Sequence, residues 1–248
     1  MEIKILGNGG ALNDGLPYNA FIIDSRFLVE TPPDIMQSLY REQVSLSGIT
    51  HIYISHFHGD HFFGFPFLAL RLFYDAMQGS VSPRIAIIGP EKIQEKAEDL
   101  CRLAVGDNHP LHSWMRESLN FSEIHGNESI DAGDNLHITP FTMDHFIATW
   151  GFTASQNGKA LFSYFADTLW NDTLLQQIHL RPKIIIADMN GEPDDPVQVH
   201  LSEEDVVARA LPFCGEDTVF YGTHLKMQKR SMHPKIHYVV PGEVVVIV

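Results

Sequence analysis

Apolar and polar positions take turns from the first residues onward. "EIKILG" reads as a strand closed by "GNGG", and "NAFIID" and "RFLVE" as two more, joined by a tight turn at Asp24-Ser25. In "PPDIMQSLYRE" a leading proline and apolar residues at helical spacing predict a helix. "ITHIYIS" reads as a buried strand, and "FGFPFLALRLFYDAM" as a mostly apolar, buried helix. "RIAIIG" is another strand, and "PEKIQEKAEDLCRLA" an amphipathic helix with proline in its first turn. From about Asp107 to Asn127 the chain is polar and irregular, which predicts a mobile loop or cap. Strand patterns return in "LHITPFTM", "TWGFTAS" and "ALFSYFA". The last third alternates strand and helix: "KIIIAD", "SEEDVVARAL", "TVFYG" and a final strand "GEVVVIV". Ser202 and Asp205 form an S-x-x-D pattern suited to capping the helix that follows them.

The two halves share one rhythm, several strands and then a strand–helix alternation. That rhythm predicts two sheets with helices outside, an α/β (α+β) four-layer αββα sandwich, read as one domain over 1–248. Composition narrows the class. Seventeen basic against 31 acidic residues give a formal charge of −14, which disfavours polyanionic partners such as nucleic acid. Two cysteines, Cys101 and Cys214, make no disulfide framework and suit a reducing compartment. The opening residues lack the basic segment and apolar run of a leader, and no stretch nears the roughly 20 apolar residues of a membrane span. The expectation is a cytoplasmic protein without membrane contact. The 14 histidines are what this picture leaves unexplained.

Three of them fall within six residues in "SHFHGDH", Ser55 to His61, where His56, His58, Asp60 and His61 follow a buried strand and precede a helix. On a strand His56 and His58 share a face and His61 points away; on a helix His58 points away from His56. A loop at the strand's C-terminal end brings all four together, with Gly59 available for an unusual backbone angle. Imidazoles and a carboxylate without nearby cysteine suit zinc, manganese or iron.

H-x-H-x-D-H after an apolar strand resembles the signature of the metallo-β-lactamase-fold hydrolases, and the resemblance runs over nearly the whole chain. It implies two divalent metal ions, zinc first and manganese or iron as alternatives, and further ligands at downstream strand ends. These are His145 in "TMDHF", Asp167 in "YFADT" and His224 in "YGTHL". Carried over, His56, His58 and His145 hold one metal, Asp60, His61 and His224 the other, and Asp167 bridges them. Asp188 in "KIIIAD" is the rival for the bridging place. The resemblance further implies that a water between the metals loses a proton and becomes the nucleophile, with Asp60 as a catalytic residue.

"FHGDHFFGFPFL" resembles the ribonuclease Z branch. "LVETPPDIMQSL" resembles the cyclic-phosphate phosphodiesterases of phosphonate degradation and a relative linked to pyrroloquinoline quinone synthesis, with Glu30 where those relatives usually carry Asp. His200, in "VQVHLSEED", stands where phosphodiesterases of this branch carry a histidine that contacts the phosphate or assists the leaving group, and is the second catalytic candidate. Between His145 and Asp167 there is room for about two strands and a turn, and none for the long tRNA-gripping arm of ribonuclease Z enzymes. The expected substrate is therefore a small phosphodiester, cyclic ones included. The alternatives are a lactone or other carboxylic ester on the same metals, tRNA 3′ processing, and metal binding without catalysis. A small-molecule substrate is the expected partner, and a homodimer is left open.

Overall fold

The computed structural model describes residues 1–80, 84–192, 195 and 197–247. The chain forms two compact units. One comprises Met1–Gly7, Pro17–Ile124 and Pro241–Val246, the other Asn8–Leu16, His125–Val240 and Ile247–Val248.

In the first unit β1 (Glu2–Gly7), β2 (Ala20–Ile23) and β3 (Phe27–Val29) pair antiparallel in sequence order. The β2–β3 turn holds Asp24 and Ser25 at φ 47° and 55°, the paired left-handed geometry whose twist suits a two-residue hairpin. Next come β4 (His51–Tyr53), β5 (Ile85–Gly89) and β6 (Leu119–Glu123), each parallel to the strand before it from β3 onward. Helices α1 (Ile35–Arg41), α2 (Gly59–Phe62), α3 (Phe65–Met77), α4 (Ile93–Val105) and α5 (Leu111–Ser118) connect them. Leu6, Ile22, Leu28, Ile52 and Ile87 from the sheet share one core with Leu39, Phe65, Leu68, Leu72, Ile93 and Cys101 from the helices. Burial pushes the Cys101 thiol up to about 12, so it packs there as a small apolar group. Helix α3 is buried on one side only. Phe65, Leu68, Ala69 and Leu72 face the core, and Phe67, Tyr74 and Met77 face solvent.

The expectation for one stretch fails. The stretch expected to be a loop or cap, about Asp107 to Asn127, carries α5 and β6. Leu111, Met115 and Leu119 recur every fourth residue and are buried, which is enough to pin a short helix. Strand β6 then pairs with β5 from Leu119 to Glu123.

The second unit holds β7 (Ile130–Asp131), β8 (Leu136–Thr142), β9 (Trp150–Gln156) and β10 (Lys159–Phe165), each antiparallel to the one before it. Then β11 (Ile184–Asp188), β12 (Val219–Thr223) and β13 (Ile236–Tyr238) add on in parallel. Helix α6 (Asp172–His179) starts at Asn171, whose side chain accepts from the Thr173 and Leu174 N–H groups. Helix α7 (Glu203–Asp205) opens with the expected capping box, Ser202 and Asp205 bonding each other's backbone N–H, and continues as a π-helical turn over Val206–Ala210. The last strand, β14 (Val244–Val246), pairs with β1 in the first sheet. Among the described residues each sheet therefore has seven strands, and no helix is long and apolar enough to cross a membrane.

Candidate functional site

Parallel strands end at a common edge, which is where α/β sheets present ligand-binding loops. In the first unit Glu30 follows β3 and Ser55–His61 follow β4, so both emerge at that edge. The chain stays extended to His58 (φ −64°, ψ 150°) and turns helical at Gly59. Gly59 is an ordinary first residue of α2 and takes no left-handed angle. The switch from extended to helical backbone makes the bend that was expected of Gly59. His56 Nε2 lies 3.1 Å from His58 Nδ1, the His56 and His61 rings are 4.2 Å apart, and Asp60 Oδ2 is 3.5 Å from His61 Nε2. His56 and His61 are fully buried.

Neighbours fix these rings. Ser55 Oγ is 2.9 Å from His56 Nδ1, which turns Nε2 toward His58. Glu30 is buried at φ 67°; its Oε2 accepts from the Ser55 N–H at 3.2 Å and its Oε1 stands 3.4 Å from His61 Nδ1. The longer Glu side chain thus braces the histidine loop from a left-handed backbone.

The second unit repeats the arrangement. Strands β8, β10, β11 and β12 all run in one direction, so His145, Asp167, Asp188 and His224 lie at or just past strand ends on one edge. Asp167 Oδ2 is 3.8 Å from His145 Nε2 and 3.3 Å from His224 Nε2. The other ring nitrogen of His224 faces Asp188 Oδ1 at 3.5 Å. Asp188 Oδ2 takes a 2.6 Å hydrogen bond with His200 Nδ1, two residues before the Ser202 cap of α7. One polar atom each from Asp167, Asp188, His200 and His224 all fall within 4.8 Å of one another. Burial works against a charge on His200, and the Asp188 carboxylate outweighs it, so the imidazole keeps its proton above its ordinary value. Burial also pushes Asp188 upward; His200 and His224 pull it back further, and its carboxyl ends below its ordinary value.

Both groups fit a metal by donor chemistry: buried and half-buried imidazoles and carboxylates, converging, with second partners that fix ring orientation. Sequence reasoning missed the supports. Asn8 and Gly10 are the main ones in the second unit. Leu225 donates to the Asn8 carbonyl at 2.7 Å, and Gly10 donates to that of Leu225 at 2.9 Å, which pins the turn where His224 sits at φ 61°. A Cβ on Gly10 would come 2.7 Å from the His224 carbonyl and 2.8 Å from its ring. Gly10→Ala should therefore displace His224. Overpacking of this kind costs about 1–3 kcal/mol, so urea unfolding should show a lower midpoint and metal titration a weaker affinity. The paired glycines of "GNGG" were the available signal. Thr168 is a second support: it accepts from the Asp144 N–H at 3.0 Å and holds the turn before His145 beside Asp167.

A family model described as "Anti-Pycsar protein Apyc1" matches residues 1–229. Ribonuclease BN of Cronobacter sakazakii (strain ATCC BAA-894) is 33% identical over 170 residues, covering 64% of this chain and 51% of that protein. The chain thus spans about half the length of that curated relative. Among solved structures, the metallo-β-lactamase fold protein YhfI from Bacillus subtilis superposes with TM-score 0.77 at 15% identity over 98% of both chains. A diphosphatase from the PhnP family superposes with TM-score 0.74 at 16% identity, covering 100% of this chain and 98% of that one. The fold is that of the metallo-β-lactamases, as the histidine signature implied.

Proposed function

The chain belongs to the Anti-Pycsar protein Apyc1 family, and from that premise we propose that it is a dinuclear metal-dependent hydrolase of small phosphodiesters, cyclic ones included. His56, His58 and His145 would hold one metal, and Asp60, His61 and His224 the other, with Asp167 shared. Asp167 suits the shared place better than Asp188, because it faces both His145 and His224 while an oxygen of Asp188 is engaged by His200. When bound, the metals would activate a water and offset charge on the phosphoryl oxygens.

The observation that carries the phosphodiester reading is the His200–Asp188 pair. Departure of an alkoxide needs a proton, and His200 is the imidazole whose protonated form a buried carboxylate 2.6 Å away favours. Its Nδ1 is occupied by Asp188, so Nε2 is the atom that would deliver the proton to the leaving oxygen. Asp188 positions the ring and stabilises its charged form. A lactone also releases an alkoxide, but where hydroxide addition to its carbonyl is the slow step the demand on such a donor is weaker.

Two features favour a small substrate over tRNA. The formal charge is −14. The interval from His145 to Asp167 is filled by β9, β10 and a two-residue turn, Asn157-Gly158, with both residues at positive φ. The test compares kcat/KM on a nitrophenyl phosphodiester, 2′,3′- and 3′,5′-cyclic nucleotides, a lactone and a tRNA precursor at fixed salt and metal. We expect at least one small phosphodiester to lead the series. Efficient tRNA cleavage with steep salt dependence would contradict the small-substrate reading. Lactone hydrolysis without phosphodiesterase activity would move the assignment to carboxylic esters.

A further inference from the structure

We propose that the first unit carries a second ligand site, a cavity that binds a small organic phosphate monoester at the edge of the sheet opposite the histidine loop. The cavity measures about 430 Å³ and is lined by Thr50, His51, Arg84, Arg116, Glu117 and Asn120, among others. These residues stand where β4, β5 and β6 begin. His51 opens β4, Arg84 immediately precedes β5, and Arg116 to Ser118 close α5 just before β6. The parallel register sets His51 beside Ala86 and Ala86 beside Asn120, so the three strand starts are aligned. The histidine loop leaves the other end of β4. Five residues of extended chain, roughly 16 Å, separate His51 from His56.

The lining selects for an anion. In a chain of formal charge −14, two guanidiniums face one cavity with, among the described residues of its walls, a single carboxylate, Glu117. Arg41, Arg71, Arg102 and Arg209 each reach a carboxylate. Among the described residues, no hydrogen bond or ion pair engages the side chain of Arg84 or Arg116. Both therefore keep their planar forks for a ligand, and the guanidinium fork matches phosphate oxygens two at a time.

His51 is already oriented. Its Nδ1 is 2.9 Å from Thr50 Oγ1, and its ring stacks on the buried Phe27 at 5.6 Å. Asn120 adds an amide. Donors on several sides suit a tetrahedral phosphate better than a flat carboxylate, which offers fewer acceptor oxygens. The volume exceeds that of inorganic phosphate and falls in the range of small-ligand sites, so an organic group is accommodated behind the phosphate. Nothing in this assignment depends on the hydrolase reading, since the residues involved are separate from the histidine groups.

The experiment is calorimetric titration of the metal-loaded full chain with adenosine 5′-monophosphate, with adenosine and inorganic phosphate as comparison ligands. Wild type is set against His56→Ala and against the double variant Arg84→Gln/Arg116→Gln. We expect the nucleotide to bind, inorganic phosphate to compete, and adenosine alone to fail. Binding should persist in His56→Ala and weaken at least tenfold in the double variant, and it should weaken as salt rises. Hydrogen exchange on wild type gives a reading free of any folding defect: the nucleotide should protect the amides of 116–120. Absence of nucleotide binding would overturn the proposal. So would binding that is lost in His56→Ala and intact in the double variant, equal binding of adenosine, or exchange protection confined to the histidine loop.

Discussion

Metal-loaded Asp60→Ala is expected to turn over small phosphodiesters about a thousandfold more slowly than wild type, a loss near 4 kcal/mol of transition-state stabilisation. Asp60 lies in the first turn of α2, with its carboxylate 8% exposed and 3.5 Å from His61 Nε2. In the proposed reaction that position would serve two purposes. The carboxylate would add an oxygen ligand to an otherwise imidazole-rich group, and it would accept a hydrogen bond that orients the attacking water. Alanine removes both while leaving His56, His58 and His61 on the same backbone. Metal content should fall much less than activity, because the remaining ligands persist. Elemental analysis of the reconstituted variant, read beside kcat, separates the two effects. Near-normal turnover in a loaded Asp60→Ala enzyme would remove Asp60 from the chemistry.

His200→Ala should act through the leaving group. General acids typically contribute 10²–10⁴-fold, so turnover of a cyclic nucleotide or an alkyl diester should drop by roughly a hundredfold or more. A nitrophenolate departs without a proton, and its diester should be hydrolysed nearly as fast as by wild type. Asp188→Asn should reproduce the pattern more weakly, because His200 loses the carboxylate that holds its proton while the ring remains. Elevated KM with unchanged kcat on the alkyl ester would instead mark His200 as a binding group. An equal loss on both leaving groups would mark a structural role for the pair.

Much of this was legible in the sequence, and the failures have physical causes. The alternation of β1 to β3, the buried runs that became β5, β11 and β12, and the cap at Ser202 are strong local patterns. The 107–127 stretch was misread because α5 and β6 are fixed by only a few apolar side chains among many polar ones, and tertiary packing decides such segments. Strand β13 has three residues, too few for a period to register. Helix α6 announced itself only through its Asn171 cap.

Within the candidate groups, local text located histidines and aspartates but could not say which ones meet. His200 and Asp188 are 12 positions apart, and only the β11 end and the turn before α7 bring them to 2.6 Å. Glu30 posed the opposite problem. Its identity departs from the pattern of the resembling enzymes, and the compensation lies in a left-handed backbone angle that no composition rule assigns to glutamate.

The ligand set underlies every step above, and metal stoichiometry tests it most directly. The chain is stripped with chelator, reconstituted with zinc or manganese, freed of excess metal and analysed by plasma mass spectrometry beside Asp60→Ala, Asp167→Ala and His224→Ala. The account predicts that wild type approaches two equivalents per chain and that Asp167→Ala, lacking the shared carboxylate, loses affinity for both. A wild-type value that stays at one equivalent, with Asp60 and His224 dispensable for binding, would contradict it.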